Sequence, residues 1–208
     1  ALVQIHAATA NDPALAQQFA TDDLFMALRI DPFLLHVARH QADVAPALQA
    51  LAFDLQSRKI ALVHGDVSPK NILIGPKGPV ILDAECAVYG DPAFDLAFCL
   101  SHLLIKSVFI RSKGELLIDC VRSLADTYLA GVGWEDPLAL SARTAKLVAA
   151  LLLFLFAQQA SALAREQQLR VALSSRAQQL EAALDQARPV RSIAFSKEEL
   201  AVLKPLCL

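Results

Sequence analysis

The apolar positions along this chain change their spacing twice. Over the first sixty residues, Leu24, Leu28, Phe33, Leu34 and Val37, and then Leu48, Leu51, Phe53 and Leu55, recur at intervals that predict helices rather than strands. Asp12-Pro13 and Asp31-Pro32 each set a capping carboxylate before a proline suited to a first helical turn, and Thr21-Asp22 offers a further start. After Lys59 the pattern shortens. "IALV", "NILI" and "PVILD" are brief runs of Ile, Leu and Val, and Gly75-Pro76-Lys77-Gly78-Pro79 between the last two is a turn by composition, which predicts a small hairpin behind a long polar loop. From Pro92 the helical spacing returns, over 92–105, over 112–130 and from Asp136 onward, with Gly131 and Gly133 as breakers before the last.

Beyond Gln158 the sequence becomes "QQASALAREQQLRVALSSRAQQLEAALDQA", rich in Ala, Gln and Leu and helical by propensity, but Leu163, Leu169, Leu173 and Leu180 keep no steady heptad. Pro189 ends it, and Ser196 three residues before Glu199 predicts a short final helix. The expected fold class is α+β and mainly helical, divided into a lobe over 1–158 and a helical tail over 159–208.

Composition sharpens this picture in four places. With 208 residues, 55% of them hydrophobic and 19% charged, the chain can bury a sizeable core and is expected to be ordered over most of its length. A net charge of −2 gives no basic footprint, so a nucleic-acid partner is not expected. The longest apolar run, Leu147 to Ala157, is well short of the ~20 residues a membrane-crossing helix needs, and is read as buried helix. Cys86, Cys99, Cys120 and Cys207 are widely spaced, and the N-terminal sequence lacks the build of a secretory leader. Reduced thiols and a cytoplasmic location are therefore expected, in a chain that reads as the interior of a longer product.

The candidate chemistry lies in the loop "VHGDVSPKNIL", Val63 to Leu73. Moving the terminal phosphoryl group of ATP to a hydroxyl needs a carboxylate that orients the acceptor and takes its proton, and metal ions held by hard oxygen ligands. The kinase solution is H-x-D-x-x-x-x-N followed by an Asp after the next strand; here His64, Asp66 and Asn71 have that spacing, and Asp83 ends "PVILD". A hairpin between Asn71 and Asp83 would bring the two potential metal ligands to neighbouring strands.

"HGDVSPKNIL", "ILDAE" and "GDPAFDLA" resemble the motifs of the aminoglycoside phosphotransferase superfamily, which includes choline, homoserine and methylthioribose kinases and shares its fold core with protein kinases. The resemblance runs from about Asp22 to Leu153 and implies a protein-kinase-like C-terminal lobe whose small β-hairpin carries the catalytic and metal-binding loops. It makes Asp66 the catalytic base, Asn71 and Asp83 the magnesium ligands on an ATP cofactor, and His64 a support of the loop. It also makes Asp95 the residue that braces the loop through backbone amides, and gives Glu85 an auxiliary place at the metal or substrate site. The implied substrate is a hydroxyl on a small molecule. Two departures stand against the pattern. No glycine precedes Gly65, and Lys59 is the only earlier lysine, so the N-terminal lobe with its glycine-rich loop and strand lysine is expected to be missing. "LFLFAQQASALAREQQ" also replaces the polar segment that builds the acceptor side of the cleft in relatives.

Blander readings accompany each of these. Asp66 and Asn71 also suit an Asx-rich turn, Asp83 and Glu85 solvated strand-end charges, and Asp95 a helix cap. Lys70 reads as a surface charge, His102 as a hydrogen-bonded core or groove histidine, and "GPKG" as a turn rather than a phosphate loop. His36 and His40 have the spacing of a helical zinc pair, but "HVARH" lacks the glutamate and a third ligand. Three functions follow: a phosphotransferase lobe expected to be inactive by itself without the N-terminal lobe, a catalytically silent helical lobe that binds a partner or ligand, or, more weakly, a tail that mediates self-association.

Overall fold

The computed structural model describes residues 1–186, and the chain divides into two compact units, Ala1–Ala157 and Gln158–Leu208. The predicted helix after Ser196 lies outside the described residues.

The first unit opens with α1 (Leu2–Thr9) and α2 (Pro13–Gln18). As expected, Asp12 caps α2: its Oδ1 accepts the backbone N–H groups of Ala14 at 2.8 Å and Leu15 at 3.1 Å, with Pro13 in the first turn. Asp31-Pro32 behaves otherwise. Instead of starting a helix, Pro32 sits inside a π-helix, Met26–Leu35, that joins α3 (Asp23–Phe25) to α4 (His36–His40) without a break. The wider π turn accommodates a residue that has no N–H to give, and the Asp31 carboxylate is taken by Arg39 at 2.9 Å rather than by backbone amides. Ile30 and Leu34 on this segment are fully buried. They meet α5 (Ala45–Ser57), whose buried positions Leu48, Ala52 and Leu55 form a stripe at helical spacing.

The β structure is two separate ribbons rather than one hairpin. β1 (Ala61–Val63) pairs antiparallel with β4 (Val88–Gly90), in the register Ala61↔Gly90 and Val63↔Val88. The predicted hairpin is β2 (Ile72–Gly75) with β3 (Gly78–Ile81), paired Ile72↔Ile81 through Gly75↔Gly78. Gly78 adopts φ +107°, a conformation that suits glycine in so tight a turn. The two ribbons differ in burial: β4 is buried throughout, whereas Leu73, Ile74 and Val80 of the β2–β3 ribbon are more than half exposed.

Three long helices complete the unit. α6 (Ala93–Phe109) is buried from Ala93 to Ser101 and forms the centre of the core, packed on α7 (Gly114–Ala130). α8 (Pro137–Gln186) sets Leu140, Thr144, Leu147 and Leu151 into the first unit as a buried stripe. The expectation of a short apolar run changes here. Because α8 does not stop at Ala157, an 18-residue window of it reaches a mean hydropathy of 2.0 with 17% of the window buried, which is long and apolar enough to cross a membrane.

Candidate active site

The loop after β1 is shaped by a glycine and pinned by a buried carboxylate. Gly65 has φ +82°, and a Cβ there would come within 2.8 Å of the Cys86 carbonyl oxygen and 2.9 Å of the Cys86 Cβ. No other residue fits. Asp95, fully buried in the first turn of α6, accepts the His64 N–H on Oδ2 at 2.7 Å and the Gly65 N–H on Oδ1 at 2.8 Å. Charge-assisted bonds to two successive amides hold the loop rigidly against the core helix.

Asp95 is itself held from behind. His6 Nε2 lies 3.2 Å from Asp95 Oδ2, and His6 Nδ1 lies 2.6 Å from the Tyr128 hydroxyl. A carboxylate only accepts, which places an N–H on Nε2; in the neutral ring Nδ1 then accepts the phenol O–H. Burial, with the Asp95 charge adding to it, pushes the Tyr128 phenol far above its ordinary pKa, so the hydroxyl keeps its proton. One buried chain of polar groups thus runs from α7 through α1 and α6 to the loop. The helix-capping reading of Asp95 goes instead to Asp91, whose Oδ1 accepts the Ala93 N–H at 3.0 Å. Asp91 also pairs with Arg143 of α8 at 2.8 Å, and Arg143 reaches on to Glu135.

Asp66 is 5% exposed, and its two oxygens differ. Oδ2 accepts from Asn71 Nδ2 at 2.8 Å and lies 3.2 Å from an Arg29 nitrogen and 3.3 Å from Lys70 Nζ. Oδ1 has no hydrogen-bond partner among the described residues. Asn71 Nδ2 also donates to the Asp66 carbonyl at 3.1 Å. Since both of its neighbours are acceptors, the amide nitrogen must face them, and the amide oxygen is left for another partner. His64 lies behind the loop: its Nδ1 accepts the Asp66 N–H at 3.2 Å. His64 Nε2 and Ser68 Oγ are buried with no partner among the described residues.

The strand that follows brings Asp83 toward Asn71 through the backbone, the Leu82 N–H donating to the Asn71 carbonyl at 2.8 Å. Asp83 has φ +69°, a left-handed conformation that Asp tolerates better than most residues, at a cost of about 1–3 kcal/mol. Asp83 and Glu85 are exposed and make no side-chain bond among the described residues. No group of three or more His, Cys, Asp or Glu side chains is placed to share a metal ion among the described residues. A magnesium ion fits the donors present nonetheless, because it binds through one or two protein oxygens and fills its remaining positions with water and phosphate. The Asn71 amide oxygen and the Asp83 carboxylate are of that kind.

Sequence reasoning left Lys70 outside the site, whereas its Nζ reaches the Asp66 carboxylate from a side chain that is 68% exposed. It missed Arg29 and His6 altogether. Both lie on helices far from the motif, and no local pattern marks them. His36 and His40 stack at 4.3 Å, His40 bonding the His36 carbonyl, with no third ligand among the described residues. His102 packs on Phe98 at 4.7 Å and makes no side-chain hydrogen bond among the described residues. Cys86 and Cys99 are buried free thiols and Cys120 is an exposed one.

The pinned loop thus carries a buried carboxylate, an amide five residues on and, after β3, an exposed Asp, within a mostly helical frame that has two small antiparallel ribbons. The chain belongs to the phosphotransferase enzyme family, whose model matches residues 1–135. It is also 32% identical over 110 residues to a methylthioribose kinase of Pectobacterium carotovorum subsp. carotovorum (strain PC1), an alignment covering 46% of this chain and 26% of that protein. The chain thus spans about a quarter of the length of the curated relative it matches.

Proposed function

We propose that this chain forms the acceptor-orienting and metal-binding part of a cytoplasmic, ATP-dependent kinase that phosphorylates a hydroxyl of a small molecule. The observation that carries the reading is the asymmetry of Asp66: Oδ2 is anchored by Asn71 and two cations, and Oδ1 is open to an acceptor. Asp66 orients the acceptor hydroxyl and takes its proton at Oδ1, a role worth about 10²–10⁴ in rate for a positioned general base. Asn71 acts twice, its nitrogen holding the Asp66 carboxylate and its oxygen facing the metal. Asp83, with Glu85 close in sequence, supplies the carboxylate ligand. Bound magnesium would supply neutralisation of the charge that develops on the phosphate oxygens. Asp95 keeps the loop amides fixed while the proton moves, so reorganisation costs little at the moment of transfer.

The relative is a methylthioribose kinase, which makes methylthioribose the first acceptor to assay, followed by choline, homoserine and an aminoglycoside. Coupled ADP release with each acceptor, beside calorimetry with Mg-ATP, tests the reading. Mg-ATP binding with acceptor-dependent ADP release is expected from the full-length protein. Absence of both supports the competing reading, a catalytically silent helical lobe that binds a partner.

A further inference from the structure

We propose that Arg29 is a positioning residue for Asp66, fixing the carboxylate through Oδ2 so that Oδ1 alone takes the acceptor proton. The proposal rests on the reading of Asp66 as the base. It adds a residue from the π-helical segment, 36 positions before Gly65, that no motif contains.

All three nitrogens of the Arg29 guanidinium have a partner. Nε donates to the Gly65 carbonyl, one terminal nitrogen donates to the Leu28 carbonyl at 2.8 Å, and the other lies 3.2 Å from Asp66 Oδ2. The guanidinium carbon lies over the Phe98 ring, 5.6 Å from its centroid, on the core helix α6. The Arg29 side chain is only 11% exposed. A hydrogen bond to the loop backbone at Gly65 and an ion pair to Oδ2 at Asp66 hold the loop and one carboxylate oxygen from the same group. A lysine has one ammonium and no planar fork, and could not make these contacts together. Lys70 touches the same oxygen from a side chain that is 68% exposed, where a solvated ion pair contributes little order.

The consequence is stereochemical. A carboxylate free to rotate presents two equivalent oxygens and samples unproductive geometries, whereas one anchored oxygen leaves a single base atom at a set angle. In the transfer step the acceptor O–H proton passes to Asp66 Oδ1 and the acceptor oxygen forms a bond to the γ-phosphorus. The bond from that phosphorus to the bridging oxygen breaks, its electron pair leaving with ADP. Arg29 touches no reacting atom.

The test compares Arg29→Ala and Arg29→Lys with wild type by crystallography at Asp66 and by steady-state ADP release on the full-length protein with methylthioribose. In Arg29→Ala crystals the Asp66 side chain is expected to change rotamer or lose order. The value of kcat is expected to fall tenfold or more with KM for Mg-ATP within twofold, and added methylguanidinium to restore part of the loss. Arg29→Lys, which retains the charge, is expected to keep the fold and recover less than half of the activity. Retention of the wild-type Asp66 rotamer in Arg29→Ala overturns the proposal, as does a kcat loss that tracks a loss of folded protein and that methylguanidinium does not repair. If wild type does not use methylthioribose, that result counts against this acceptor, and the Asp66 rotamer in the variant crystals decides the positioning role by itself.

Discussion

At the scale of single residues, the proposed chemistry turns on which oxygen of the Asp66 carboxylate is occupied. Replacing Asp66 by Ala removes the proposed base while leaving Asn71 and Asp83 in place. Phosphoryl transfer is therefore expected to fall by a factor of about 10² or more, with Mg-ATP affinity changed only a few-fold, as coupled ADP release and calorimetry on one preparation would establish. Substantial turnover by this variant would take the base role away from Asp66. His102 gives a second residue-level expectation. Its folded pKa is lowered, first by burial, with the charges of Lys106, Lys70 and Arg29 adding and that of Asp66 opposing. Because the folded ring resists a proton that the unfolded chain accepts, its contribution to stability is complete above the ordinary value of 6.5 and declines as pH falls through the lowered folded value. Urea midpoints measured from about pH 7 downward should drop less steeply for His102→Gln than for wild type, once the carboxylates are accounted for by a common baseline.

At the scale of elements, the loop is held by contacts that are remote in sequence. Tyr128→Phe would leave the fully buried His6 Nδ1 without its donor, at a cost of about 1–3 kcal/mol. That corresponds to several degrees in melting temperature for a chain of this size, measurable by calorimetry. Gly65→Ala should be more disruptive, since the added Cβ meets backbone at 2.8 Å and the residue must hold φ +82°. A variant with unchanged melting temperature would show that the loop reshapes at little cost. These elements also mark what was legible in the sequence. The Asp12 cap, the β2–β3 hairpin and helices α6 to α8 were all readable, because local chemistry decides each of them. The Asp31-Pro32 signal failed because Arg39, eight residues on, claims the carboxylate and a π turn tolerates the proline. β4 was invisible, being three residues whose strand character comes from pairing with β1. The motif residues could be found as a pattern, whereas Arg29 and His6 become visible only when helices fold back on the loop.

At the scale of the molecule, the described residues of the first unit form one continuous core around α6, and the candidate site lies where its loop and the β2–β3 ribbon meet. That ribbon carries Asn71 at its entrance, yet it is not packed like the rest: Leu73 is 55% exposed, Ile74 80% and Val80 55%. A two-stranded ribbon has two unpaired edges, and one with apolar side chains outward is a template for further strands. Solutions of the chain should therefore self-associate with rising concentration, and Ile74→Lys should reduce this in sedimentation experiments without altering the helical circular dichroism. Equal association by the variant would place the contact elsewhere. The ribbon thereby ties the candidate site to handling: any strand that adds to its edges would settle beside Asn71 and Asp83, so a change at the site on concentration would be reversed by dilution rather than by refolding.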